Sequence, residues 1–149
     1  MPRHISILFP GQGSQHIGML DNLPTELVES FRGLALKALS FDLIDLIKNG
    51  NEEDLNKTSI TQPAILLTSF IYYKHLQNLT NIKADLMCGH SLGEYSALVA
   101  SNSITLDDAL KLVYQRGLLM ERSLKGSMYA ILNTDIDIIN DFCMKVSCL

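Results

Sequence analysis

The sequence is poor in proline and in charged residues, the residue types that are abundant in chains that stay unfolded. Only four of its 149 residues are proline and 19% are charged, whereas 47% are hydrophobic. Disordered, collagen-like and low-complexity chains have the opposite balance. A chain of this length can hide roughly two-thirds of its unfolded surface. The composition therefore predicts an ordinary globular protein with one core as the default.

The sequence also lacks any concentration of positive charge. Twelve Lys and Arg residues stand against sixteen Asp and Glu residues, and the basic ones are scattered along the chain. Nucleic-acid binders need a basic stripe, so we expect no nucleic-acid partner. No apolar run is long enough to span a membrane, and Ile5–Phe9 is too short for the core of a signal peptide. We expect no membrane partner either.

Cysteine is scarce, with residues only at Cys88, Cys143 and Cys148. The number is odd, there is no CxxC pair, and no cysteine has metal-ligand spacing. We therefore expect no metal site. Unpaired thiols of this kind fit a reducing compartment, which predicts a cytoplasmic location.

Short apolar runs predict the strands. Ile5–Phe9 is rich in β-branched and aromatic residues and ends at a glycine-containing loop, Pro10–Gly13. Asp85–Cys88 is a second such run, and Met128–Leu132 is a third. Each of the first two runs leads into a loop at its carboxyl end.

Apolar residues at helical spacing fill the segments between these strands. Pro63 is expected in the first turn of a helix that continues to Gln77. The other predicted helices lie within 22–48, at 94–100, at 106–123 after a Thr105 cap, and from Asp135 toward Val146. This alternation predicts an α/β fold with a parallel sheet flanked by helices.

One motif carries recognisable chemistry, the GxSxG pattern GHSLG at 89–93. In this pattern a serine sits on a sharp strand-to-helix turn with its hydroxyl exposed, and the glycines provide space for that turn. Ser91 is the candidate nucleophile. The N–H of Leu92 begins the following helix and could stabilise an oxyanion.

The longer run GHSLGEYSA at 89–97 is similar to the signature of malonyl-CoA:acyl-carrier-protein transacylases. The run FPGQGSQ at 9–15 resembles the glutamine loop of the same family. TQPA at 61–64 and QRG at 115–117 resemble two further family segments in the same order. The resemblance covers essentially the whole chain and implies the family's acyltransferase fold, which is α/β-hydrolase-like.

The resemblance implies a two-step transfer of a malonyl group from malonyl-CoA to the phosphopantetheine thiol of acyl carrier protein, in fatty-acid biosynthesis. Ser91 would hold the malonyl group as an ester. The amides of Gln12 and Leu92 would form the oxyanion hole. Arg116 would bind the free malonyl carboxylate through its planar fork, although any helix arginine taken alone could be a solvated charge. No cofactor is implied.

Two further residues have open roles. Gln62 falls in a segment that lies near the active site in the family, but it could equally be a first-turn residue ahead of Pro63. His90 stands beside the nucleophile, where a supporting role toward the substrate and a structural role are both open. Adjacent side chains on a turn diverge, so His90 is poorly placed to act as the base for Ser91.

In the family the catalytic histidine comes from a segment beyond the length of this chain. We therefore expect an N-terminal part of the fold, with an incomplete sheet, residues 1–126 in the main domain and residues 127–149 beginning a small ferredoxin-like subdomain. Weak or no activity is the corresponding expectation. The alternatives are a catalytically inert family member, a GxSxG serine hydrolase, and an acyltransferase domain of a polyketide synthase.

Overall fold

Two short parallel strands carry the loops that build the site. The structure, a computed structural model, describes residues 4–80, 82–123 and 131–146. Within these ranges the elements are β1 (Ser6–Phe9), α1 (Thr25–Ser30), α2 (Arg32–Leu39), α3 (Leu43–Asn49), α4 (Glu52–Leu55), α5 (Thr58–Leu79), β2 (Leu86–Gly89), α6 (Leu92–Ala100), α7 (Leu106–Glu121) and α8 (Ile136–Val146). The predicted α/β class and parallel sheet are confirmed.

The register of the sheet explains how distant segments meet. β1 and β2 pair in parallel, with Ser6 opposite Leu86 and Phe9 opposite Gly89. Both strands therefore end at the same edge of the sheet, where β1 continues into the glutamine loop and β2 into the serine turn. The carboxyl edge of parallel strands is the usual place for a site in an α/β fold.

Helix α5 is the centre of the core. Its middle section is buried on all sides, including Leu66, Leu67 and Ile71. Helices α7 and α6 pack against it, and α2 packs against α7. A helix whose middle section is mostly apolar on every face is expected in such an enclosed place, not on the surface.

The start of α5 differs from the prediction. The helix begins at Thr58, so Pro63 lies inside it instead of in its first turn. Upstream of Pro63, the Ser59 N–H donates to Glu121 Oε1 at 2.7 Å, and the Thr61 hydroxyl donates to the carbonyls of Leu55 and Lys57. These tertiary and local hydrogen bonds stabilise helical turns upstream of Pro63, so the proline is not in the first turn, where it is usually found.

Other predicted elements are confirmed with shifted ends. The segment 22–48 forms three helices, broken at Phe31 and at Ser40, whose φ of 65° is left-handed. Thr105 caps α7 by accepting from the Asp108 N–H at 3.1 Å, and the helix ends at Glu121. Asp135 accepts from the Asp137 N–H at the start of α8.

The C-terminal region is described only in part. Residues 128–130 of the third predicted strand lie outside the described residues, and Ile131 and Leu132 are not in a strand. The predicted boundary at 126/127 and the expected stop at Lys125–Gly126 also lie outside them, so the domain division stays a prediction. None of the helices within the described ranges is both long and apolar enough to cross a bilayer.

Candidate active site

Ser91 occupies the sharp turn between β2 and α6. Its φ of 53° and ψ of −103° place it in a sparsely populated backbone region. A Cβ added at Gly89 would overlap the backbone of Gly93, and a Cβ added at Gly93 would overlap the Phe9 carbonyl. The two glycines of the motif are therefore required by space, and they let the turn pack against the end of β1.

The glutamine loop packs beside this turn. A Cβ at Gly11 would lie only 3.0 Å from the His90 carbonyl oxygen, so the two backbones are in close approach. The N–H groups of Gln12 and Leu92 donate to no other group within the described ranges. The loop and the start of α6 thus bring the two predicted oxyanion donors into one region, and their catalytic role stays a prediction.

Arg116 reaches the candidate nucleophile from α7. Its Nη2 donates to Ser91 Oγ at 3.0 Å and its Nη1 donates to Gln62 Oε1 at 2.7 Å. The guanidinium also lies over the Tyr95 ring, 5.7 Å from the centroid, a cation–π arrangement. No carboxylate in the part of the chain that the structure describes pairs with Arg116. The structure therefore places an uncompensated guanidinium directly at the candidate nucleophile.

Gln62 lies behind Arg116 rather than in the open site. Its side chain is 0% exposed, and its Nε2 donates to the Met120 sulfur at 3.2 Å. A fully buried amide cannot contact substrate directly, so its geometry favours supporting Arg116. Gln62 thus lies near the candidate active site, through Arg116, and not in the first turn of α5. Its role toward a substrate stays a prediction.

Tyr95 and Met120 are site residues that the sequence reasoning missed. Tyr95 follows Ser91 by four residues and Met120 follows Arg116 by four. Side chains at this spacing share one face of a helix. The spacing therefore indicated which side chains share a helix face with Ser91 and Arg116. It could not show that these faces meet at the site, because that depends on the orientation of α6 and α7.

The spacing of α5 and α7 is set by a glycine and a hydrogen bond. A Cβ at Gly117 would come within 2.5 Å of the Ser59 Cα, so the helices touch through their backbones here. Four residues on, the Glu121 carboxylate accepts from the Ser59 N–H at 2.7 Å. Gln62 and Arg116, carried by these two helices, are held at hydrogen-bonding distance as a result.

His90 is exposed and makes no side-chain hydrogen bond to Ser91. His16 approaches the Ser14 carbonyl, and His4 lies 3.7 Å from Asp85. Among the described residues, Ser91 Oγ has no histidine partner. No three potential metal ligands of His, Cys, Asp or Glu type come together in those same residues.

Comparisons with known proteins agree with this architecture. The family model of the acyl transferase domain matches residues 7–144. A malonyl CoA-acyl carrier protein transacylase of Haemophilus influenzae is 43% identical over 96% of this chain and 48% of its own length. The Staphylococcus aureus protein of the same name is 39% identical over 95% of this chain and 47% of its own length.

Solved structures give the same result. The acyl-carrier-protein S-malonyltransferase of Burkholderia pseudomallei superposes with a TM-score of 0.88 at 37% identity, over 97% of this chain and 48% of that one. A malonyl-transacylase solved with a type II PKS acyl-carrier protein gives 0.87 at 40% identity, over 97% and 48%. The chain thus spans about half the length of the relatives that it matches. With the match extending over residues 7–144 and the serine turn in place, this chain belongs to the acyl transferase domain family.

Proposed function

We propose that this chain serves the transfer of a malonyl group from malonyl-CoA to acyl carrier protein in fatty-acid biosynthesis, with Ser91 as the nucleophile. The observation that carries the proposal is the contact of Arg116 with Ser91 Oγ at 3.0 Å. An arginine that pairs with no carboxylate in the described part of the chain is able to bind a carboxylate that the substrate brings. A malonyl group has such a carboxylate one methylene from its thioester.

The first half of the reaction forms an ester. Ser91 Oγ attacks the thioester carbon, its proton passes to a base, and the carbon–sulfur bond breaks to release CoA, whose sulfur takes up a proton. The N–H groups of Gln12 and Leu92 would stabilise the oxygen of the tetrahedral intermediate. We assign the base to a histidine in the half of the family fold that this chain does not cover, as the resemblance implies.

The second half transfers the malonyl group onward. The phosphopantetheine thiol of acyl carrier protein attacks the ester, loses its proton, and the Ser91 oxygen leaves and is reprotonated. The relative solved with an acyl-carrier protein supports this choice of acceptor. Donor and acceptor carry the reactive sulfur groups themselves, so the proposal requires no cofactor.

We also infer a cytoplasmic location. Cys88 and Cys143 are both free thiols. Free thiols are typical of a reducing compartment.

The proposal is tested by exposing the purified chain to malonyl-CoA or acetyl-CoA and measuring adducts by intact-mass spectrometry. We expect a slowly formed malonyl adduct in the wild type, since the assigned base lies outside this chain, none in Ser91→Ala, and a still slower one in Arg116→Ala. Arg116→Lys should recover the charge but not the two parallel bonds, and so only part of the rate. Equal labelling by acetyl-CoA, or labelling of Ser91→Ala, would argue against the proposal, whereas no adduct from a folded chain would favour the catalytically inert family member.

A further inference from the structure

The side chain of Gln15 links the glutamine loop to a distant, rigid turn. Its Oε1 accepts from the Gly13 N–H at 2.8 Å, and its Nε2 donates to Asn56 Oδ1, also at 2.8 Å. Gln15 is half-buried. Both polar atoms of its amide are hydrogen-bonded. One of these hydrogen bonds lies within the glutamine loop and the other reaches Asn56 outside it. We call this pair of bonds the clasp between the loop and the α4–α5 turn.

The outer end of this clasp is fixed. Asn56 follows α4, and its N–H donates to the Glu52 carbonyl at 2.9 Å. The preceding Leu55 is buried, and its carbonyl accepts from the Thr61 hydroxyl of the central helix at 2.6 Å. The α4–α5 turn is thus fixed to the core. A loop that is hydrogen-bonded to this turn is restrained in position as well.

The inner end fixes the peptide planes around Gln12. A peptide unit is planar, so holding one of its polar groups orients the other. Gly11 C=O and Gln12 N–H belong to one unit, and the Ser14 hydroxyl donates to that carbonyl at 3.1 Å. Gln12 C=O and Gly13 N–H belong to the next unit, which Gln15 holds. The Gln12 N–H therefore lies in the first of two consecutive restrained planes, the second of which Gln15 holds, and Gly13 permits the turn with its φ of 106°.

We propose that Gln15 is a positioning residue, which aims the Gln12 N–H at the oxyanion by clasping the loop to Asn56. The inference rests on the proposed function in one respect, because it takes the Gln12 N–H as an oxyanion donor. Within the described residues the Gln15 side chain bonds to Gly13 and Asn56 and not to Ser91. Its contribution is to pre-organise a donor that would otherwise sample several directions.

Three variants separate the bonds. Gln15→Leu removes both, whereas Gln15→Glu keeps the acceptor for Gly13 and lets the Asn56 amide rotate to donate to the new carboxylate. Asn56→Ala removes only the anchor. Gln77→Leu is the matched control, since Gln77 is an exposed glutamine at the far end of α5 that also makes two side-chain hydrogen bonds, with Lys74 and Tyr73.

The rate of Ser91 modification is measured with two reagents, malonyl-CoA and a fluorophosphonate whose phosphoryl oxygen needs the same donors. We expect Gln15→Leu to slow both by about 10- to 100-fold without raising the half-saturating malonyl-CoA concentration. The rates of Asn56→Ala should lie between those of Gln15→Leu and the wild type. The rates of Gln15→Glu and Gln77→Leu should stay within about 3-fold of the wild type. Wild-type rates in Gln15→Leu, or a loss confined to malonyl-CoA, would overturn the inference.

Amide hydrogen exchange of Gly13 supplies a readout that is independent of chemistry. We expect protection in the wild type and in Gln15→Glu and its loss in Gln15→Leu. Unchanged exchange in Gln15→Leu would also overturn the inference. A wild type that reacts with the fluorophosphonate but not with malonyl-CoA would instead reject the proposed function, while the fluorophosphonate rates would still test Gln15.

Discussion

At the scale of single residues, the candidate site depends on the charge of Arg116, which pairs with no carboxylate among the described residues. Gln62 is a neutral, fully buried neighbour of Arg116, and its Oε1 accepts a bond from the guanidinium without cancelling its charge. A carboxylate in the same place would form a buried ion pair. Under the proposed function, the neutrality of this one amide would leave the Arg116 guanidinium available to the carboxylate of the substrate.

Gln62→Glu tests this directly, because it preserves shape and adds charge. We expect the preference of Ser91 for malonyl-CoA over acetyl-CoA to fall by about 10-fold or more, since the new carboxylate competes for the guanidinium. The measurement is the ratio of initial adduct rates with the two thioesters. Gln77→Glu, the same change at an exposed position, should leave the ratio alone. An unchanged ratio in Gln62→Glu would show that the charge of Arg116 does not select the acyl group.

The backbone of Ser91 makes a second prediction at this scale. A non-glycine residue at φ 53° and ψ −103° is strained, and such strain costs of order 1–3 kcal/mol. Glycine relieves it, at the expense of a more flexible unfolded chain. We expect Ser91→Gly to be more stable than Ser91→Ala by about 1 kcal/mol in urea unfolding. Both variants lack the hydroxyl, so equal stability would mean that the turn is unstrained.

At the scale of elements, the pairing of α5 with α7 is the critical contact. Gly117→Ala would drive a methyl group into the Ser59 backbone, which cannot move without shifting a buried helix. We expect a loss of about 1–3 kcal/mol in unfolding free energy, together with slower acylation as Arg116 moves away from Ser91.

Gly33→Ala is the matched control for this change. A Cβ at Gly33 meets nothing within 4 Å, and the residue lies in α2 on the surface. Alanine there should be neutral or stabilising by about 0.4–1 kcal/mol. If Gly117→Ala had the same stability and acylation rate as Gly33→Ala, the close contact between α5 and α7 would not set the position of Arg116.

At the scale of the whole molecule, one apolar face is open. A groove of about 430 Å³ runs between β1 and α5, lined by residues that include Ile7, Tyr72 and Leu76. Leu8 at its edge is 75% exposed, and the buried Thr68 hydroxyl in its wall has no partner in the described part of the chain. Contiguous apolar surface of this kind drives association in water.

We therefore expect the isolated 149-residue chain to self-associate with rising concentration, measured by sedimentation velocity. Leu8→Lys should shift the distribution toward monomer, because it places a charge at the edge of the groove. Leu112→Lys alters an exposed leucine that does not line this groove, and it should have little effect. A wild type that stays monomeric at every concentration would contradict this prediction.

The sequence predicted the local order of strand, turn and helix around Ser91 because hydrophobic period and glycine placement are local properties. It did not predict that α5 begins at Thr58, because the bond that holds this end comes from Glu121, 62 residues away. Arg116 entered the site only through the family resemblance. Its contact with Ser91 depends on how two helices cross, which periodicity along one helix cannot specify.

The contact between Arg116 and Ser91 has a consequence for the proposed choice of acyl group. The guanidinium donates to the hydroxyl oxygen that would attack, so the candidate nucleophile is bonded to the group that we propose recognises the substrate. Under that proposal a malonyl group would offer Nη2 a carboxylate in exchange, and the hydroxyl would be released. An acetyl group would have to displace the same bond with nothing to replace it, so substrate recognition and release of the hydroxyl would be a single exchange of hydrogen-bond partners.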